Sequence, residues 1–243
     1  MKRNVLIVGW ICFFLVAMPG TGMVWAADET GAVPAGTDAD PEATADVAAE
    51  TKPAVMDYGS IENSVYRNDY LGMSLPIPGD WQVQGEAVVK QMLESGKEVL
   101  PDEDKKVQAA LDAAEQSSLV LLTVFRYPLG TQVEYNPSMV WVAEKVELYP
   151  GIQVGKDYLL NVKRIMESGQ VQFQFNKEIY PQVLGGVNFD TLETQVSIAQ
   201  MTVYQRYYAT VRKGYAISFV ISYTTEDEAK MLENILTGLK FVQ

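Results

Sequence analysis

Histidine is absent from this chain, and cysteine occurs once, at Cys12. Without imidazole there is no Ser-His-Asp triad, no Cys-His pair and no histidine-ligated metal. Basic residues are scarce as well. The 19 Lys and Arg face 31 Asp and Glu, for a net charge of −12. Such a surplus of acid excludes broad binding to nucleic-acid phosphates, which needs clustered cations. Long apolar runs are also missing. The stretch Val5 to Met18 covers 14 residues, and a spanning helix needs ~20. What is present is a chain of 243 residues, 48% hydrophobic, enough for one large domain or two small ones with a real core.

The apolar run follows Lys2 and Arg3 and is broken by Pro19, Gly20, Thr21 and Gly22. Val24-Trp25-Ala26 then ends in a small residue, with Ala27 after it. Positive start, short apolar centre and small-residue exit are the order of a secretory signal peptide over 1–26, cleaved between Ala26 and Ala27. Ile11 and Gly9 stand where a lipoprotein signal would carry a small residue and a Leu-like residue before its cysteine. Cys12 therefore departs with the signal, and the mature chain has no thiol to form a disulfide.

Residues 27–56 change character. Ala, Thr, Pro, Asp and Glu dominate, seven acids face Lys52 alone, and no aromatic residue occurs between Trp25 and Tyr58. Such a segment buries too little apolar surface to offset its ordering entropy and reads as a disordered acidic linker. Residues 57–243 read as a single folded domain of net charge −8, with no internal repeat.

Within that domain, Met73 to Pro78 reads as extended, because a residue before proline is pushed out of the helical region. Trp81-Gln82-Val83 resumes a short strand. Glu86 to Leu100 has a helical stripe of Val88, Val89, Met92 and Leu93, and a second helix starts at Pro101-Asp102-Glu103-Asp104 and carries Val107, Leu111 and Ala114. The apolar runs Ser118 to Phe125 and Met139 to Ala143 predict strands covered on both faces. Gly155 to Met166 predicts a helix stopped at Gly169. The alternation Val171-Gln172-Phe173-Gln174-Phe175 predicts a half-exposed strand. Gly185-Gly186 predicts a tight turn into Phe189 to Ile198.

The clearest pattern is a hairpin, Met201 to Val211 turning at Arg212-Lys213-Gly214 into Tyr215 to Tyr223. On its second strand the bulky Tyr215, Ile217, Phe219, Ile221 and Tyr223 share one face. The smaller Ala216, Ser218, Val220 and Ser222 share the other, which suits a helix packed closely there. Thr225-Glu226-Asp227-Glu228 is a capping box before a helix striped by Met231, Leu232, Ile235 and Leu236. Gly238 ends that helix, and Leu239 to Val242 adds an edge strand. The fold class is therefore α+β, an α/β/α sandwich with a mostly antiparallel sheet flanked by helices.

Tyr66-Arg67-Asn68-Asp69-Tyr70-Leu71-Gly72-Met73-Ser74-Leu75-Pro76-Ile77-Pro78-Gly79-Asp80-Trp81 and the closing hairpin and helix, Tyr207 to Phe241, resemble the two ends of PsbP-like and DcrB-like domains. The resemblance implies an α/β/α sandwich around an antiparallel sheet. Members of that group include an extrinsic photosystem II subunit, a Mog-type Ran-binding protein and bacterial envelope proteins. Their shared theme is non-enzymatic association with larger partners, so no catalytic residues carry over.

Candidate chemistry is sparse. Gly151 to Asp157 resembles a phosphate loop, but it is one residue short and Asp157 replaces the needed Ser or Thr. A helix start accounts for it, since acids belong in a first turn. The same account covers Asp102, Glu103 and Asp104, and Glu226, Asp227 and Glu228, as alternatives to hard-cation ligands. Glu94 with Glu98, and Glu144 with Glu147, are spaced as exposed neighbours and would be the raw material for a carboxylate-based hydrolase. Tyr204, Tyr207, Tyr208, Tyr215 and Tyr223 offer either a binding surface or a core with hydroxyls at its rim. Together these readings point to an exported, non-enzymatic interaction or accessory module of the cell envelope. It would be periplasmic, with full secretion the alternative destination, bind a larger protein partner, and use no cofactor, metal, nucleic acid or membrane span after signal cleavage. A small-ligand or cation-binding periplasmic domain is the alternative, and a carboxylate-based hydrolase the third reading.

Overall fold

The computed structural model describes residues 56–85, 88–89, 118–147, 149–168, 171–198 and 200–242. Its strands, in chain order, are β1 (Ser60–Glu62), β2 (Val65–Asn68), β3 (Met73–Pro76), β4 (Gln82–Val83), β5 (Ser118–Phe125), β6 (Ser138–Lys145), β7 (Tyr180–Leu184), β8 (Val187–Ile198), β9 (Met201–Arg212), β10 (Tyr215–Tyr223) and β11 (Lys240–Phe241). Helix α1 (Gly155–Ser168) lies between β6 and β7, and α2 (Glu226–Leu236) between β10 and β11.

Two sheets result, of order β4-β5-β6-β10-β9-β8-β7 and β1-β2-β3-β11. Every strand pairing is antiparallel. The expected hairpins hold. Lys213 (φ 50°) and Gly214 (φ 79°) turn β9 into β10, and Gly185 (φ 56°) and Gly186 (φ 80°) turn β7 into β8. Successive positive φ angles match the twist of a two-residue hairpin. β6, read as an apolar run, is buried along its length except at Lys145.

The alternation along β10 assigns the layers. Ala216 and Val220 face Tyr158, Leu159 and Val162 of α1. Ile217, Phe219, Ile221 and Tyr223 face Ala229, Leu232 and Ile235 of α2, together with Tyr66, Met73 and Leu75 of the smaller sheet. The small face carries the close helix, as its residue sizes require. At Gly155 the first turn of α1 sits so tightly on β9 that a Cβ there would overlap the Ala209 carbonyl. Trp141 lies at the centre of the other face, edge-on to Tyr66 (centroids 5.4 Å apart) and tilted on Phe219 (4.3 Å).

Four expectations need correcting. The small sheet is separate: β1 and β2 had no sequence assignment, and β11 extends β3 rather than the main sheet. Val171 to Phe175 keeps its alternating exposure but forms one isolated bridge, Gln174 to Gln195. The outer side of β8 is taken by β7 only as far as Thr191, and the chain touches it once more before turning into β7. Met231 is 40% exposed, so α2 buries Ala229, Leu232, Ile235 and Leu236 instead. Glu144 is buried at 1% exposure rather than a surface neighbour of Glu147. The helices expected over 86–100 and from Pro101 fall outside the described residues except for Val88 and Val89, which are helical.

Candidate functional site

α2 stands between two features of the same sheet face. Its orientation comes from its ends. The Thr225 hydroxyl accepts from the Glu228 amide, and Glu228 Oε2 accepts from the amides of Thr225 and Thr224, so the capping box forms. Glu226, Asp227 and Glu228 are thus first-turn acids, with Asp227 also reaching Lys230.

On one side of α2 lies an arginine-centred cluster. Glu193 on β8 and Arg206 on β9 are directly paired across the strands. Glu193 accepts from Tyr180 OH at 2.6 Å and pairs with Lys177 Nζ at 3.0 Å and Arg206 Nε at 3.3 Å. Arg206 also pairs with Glu233 of α2 and donates from Nη2 to Tyr223 OH at 3.3 Å. Tyr223 stacks on Tyr204, ring centroids 5.8 Å apart. Burial pushes the Glu193 carboxyl up, but the hydrogen bonds from Tyr180 and Lys177 and the charge of Arg206 outweigh it and leave it below its usual range. Burial works against the Arg206 charge, and Tyr208, Tyr223 and Glu193 more than restore it. Burial, with neighbouring Glu193, raises Tyr180; burial raises Tyr208 and Tyr223. Through Arg206 the cluster ties α2 to β8 and β9.

On the other side lies an open groove of about 510 Å³. Ile77, Trp81 and Ile235 form its apolar floor, and Pro76, Pro78, Asp80, Arg126, Met231 and Asn234 line its walls. Pro76 and Pro78 hold the chain extended after β3, which brings Trp81 under the groove. Arg126 Nη1 donates to Asp80 Oδ2 at 2.7 Å and to the Asp80 carbonyl at 3.0 Å. Its guanidinium lies 5.9 Å from the Trp81 ring centroid and 5.4 Å from that of Tyr127. Tyr127 and Met231 are each about 40% exposed beside the groove.

The sequence-marked residues divide as follows. Tyr207 and Tyr208 are fully buried on opposite faces of the sheet, Tyr223 is core, and Tyr204 and Tyr215 are half-buried at its rim. Asp157 accepts from the amides of Gln153 (3.0 Å) and Val154 (3.2 Å), and Asp190 of β8 accepts from Lys156 N (2.7 Å), so the phosphate-like loop is a capped helix start whose amides are taken by these two acids. Tyr158 OH donates to buried Glu144 at 3.0 Å, whereas Glu147 is exposed and pairs with Lys145 at 3.3 Å. Ala26, Ala27, Glu94, Glu98, Asp102, Glu103 and Asp104 lie outside the described residues. Among the described residues no three acidic side chains converge as a metal-binding group, and no helix is long and apolar enough to cross a membrane. The groove and the Arg206 cluster had no sequence signal, because Trp81 and Arg126, or Tyr180 and Arg206, meet only in three dimensions.

No family model and no curated protein matches the chain. Solved structures do. PA94 of Pseudomonas aeruginosa, a protein of unknown function, is 15% identical over 41% of this chain and 66% of its own, just under two thirds, with a TM-score of 0.33. LpqN of Mycobacterium tuberculosis, involved in cell envelope biogenesis, is 14% identical over 70% of this chain and 83% of its own, with a TM-score of 0.37. The cyanobacterial PsbP (CyanoP) of Synechocystis sp. PCC 6803 is 13% identical over 73% of this chain and 91% of its own, with a TM-score of 0.43.

Proposed function

We propose that this chain is an exported, non-enzymatic accessory module of the cell envelope that binds a larger protein partner through the groove beside α2. In this reading residues 1–26 are removed between Ala26 and Ala27, residues 27–56 act as an acidic spacer, and the 57–243 domain works in the periplasm. The observation that carries the binding reading is the groove itself. Trp81, Arg126, Tyr127 and Met231 gather at one open surface, and aromatic residues, Arg and Met are the types enriched at the centres of protein interfaces. Arg126, held between two rings and bonded to Asp80, is presented without further ordering cost.

The state of the acids supports a non-enzymatic role. Glu193 is matched by Tyr180, Lys177 and Arg206, Glu228 by its capping box, and Asp157 and Asp190 by the start of α1. These carboxylates serve as structural acceptors, so among the described residues they form no specific set for the small-ligand, cation or hydrolase readings.

In-cell crosslinking and affinity recovery of the tagged full chain from its native envelope tests the proposal. The wild type should bring down one dominant protein. Met231→Glu and Asn234→Arg, which alter only the groove wall, should lose it while keeping the wild-type Tm. Recovery undiminished by both variants would remove the groove from the proposal. No protein above background would overturn partner binding itself.

A further inference from the structure

The face of the main sheet turned toward α1 carries a transverse row of polar side chains. Ser138 on β6 pairs with Ser222 on β10, Ser222 with Gln205 on β9, and Gln205 with Thr194 on β8. Directly paired residues of antiparallel strands share a face at close range, so the four form one line across four strands. All are buried, at 0, 0, 1 and 3% exposure. The next row toward the centre is Val140, Val220, Tyr207 and Leu192. The polar row therefore stands out against the apolar row beside it.

Its hydrogen bonding is incomplete. Ser222 Oγ accepts from Tyr135 OH at 2.7 Å and from Gln205 Nε2 at 3.3 Å. Both lone pairs of that hydroxyl are then used, and its own proton is left to donate. Tyr207 OH donates to Gln205 Oε1 at 2.6 Å. Ser138 Oγ and Thr194 Oγ1, at the two ends of the row, have no hydrogen-bond partner among the described residues. Buried hydroxyls rarely stay unmatched, and water bonded to two or more polar groups is the usual remedy.

We propose that this row is an internal binding site for ordered water, with one molecule bridging Ser138 Oγ and the Ser222 hydroxyl and another held by Thr194 Oγ1 beside Gln205. The guest is water because every group in the row is a neutral hydroxyl or amide, and no charge is present to select an ion. Tyr135, itself buried, closes onto the row through its bond to Ser222.

The test uses the isotopically labelled full chain in ordinary water. Magnetisation transfer from water to the amides of Ser138, Ser222 and Thr194 should reveal long-lived bound molecules. Ser138→Ala should abolish the transfer at the Ser138 end and shift the unfolding equilibrium toward the unfolded state by roughly fivefold, as losing a satisfied buried bond does. Thr194→Val should do the same at the other end. Absence of transfer in the wild type overturns the proposal. So does a Ser138→Ala or Thr194→Val protein as stable as the wild type or more so, because deleting an unsolvated hydroxyl relieves rather than costs.

Discussion

Arg206 shows how one residue can hold two layers together. It reaches Glu193 along the sheet and Glu233 on α2. Because Glu193 titrates below its ordinary range, its contribution to stability is complete above about pH 4.3 and fades as the pH falls through the lower native value. Denaturant midpoints measured between about pH 5 and about pH 3 should therefore decline in the wild type. Glu193→Gln should decline less steeply from a lower starting point. Gly155 acts by having no side chain at all. Gly155→Ala must either push α1 off Ala209 or distort β9, and a loss of about 3 kcal/mol is expected, read as a lower denaturant midpoint with an unchanged slope. The spacing of Gly155 before a helical stripe suggested a helix start, but nothing in it announced that a strand from fifty residues later would press against that glycine.

At the scale of elements, the well-read pieces are those whose signal is local. The β9–β10 hairpin has its turn and both strands within 23 contiguous residues, and the α2 cap lies within four residues. Thr225→Ala should lower stability by about 1 kcal/mol, and Glu228→Ala, which takes the reciprocal half of the box, should be non-additive with it in a double-mutant cycle. The misread pieces depend on distant neighbours. Val171 to Phe175 has the alternation of a strand, yet it meets the outer edge of β8 at Gln195 alone. Met231 has the helical spacing of a core residue, yet the groove opens beside it. Glu144 looks like any surface acid until α1 brings Tyr158 over it. Pro181 is more transparent in hindsight. It occupies β7, the edge of the main sheet, where a missing N–H breaks no central ladder and blunts pairing with other chains.

For the whole molecule, the sandwich keeps several of its phenols dry. Burial raises Tyr66, Tyr135, Tyr180 and Tyr208 above the ordinary tyrosine value. Their stabilising effect is complete below about pH 10 and is lost as the pH rises through the higher native values. An absorbance titration of the native protein should show part of its 13 tyrosines ionising late and together with unfolding, whereas the denatured chain should titrate in one step. The strand order has a further consequence, in time rather than in energy. β10 is the middle strand of seven, with three on either side, and all six of its sheet-mates precede it in the chain. β6 has no partner on that side until residue 215 arrives, and β3 waits for Lys240. Neither sheet can therefore close until β10 and β11 have been made, and such distant pairings fold slowly. Nascent chains halted before β10 should remain protease-sensitive, and resistance should appear only once residues 215–241 have emerged from the ribosome.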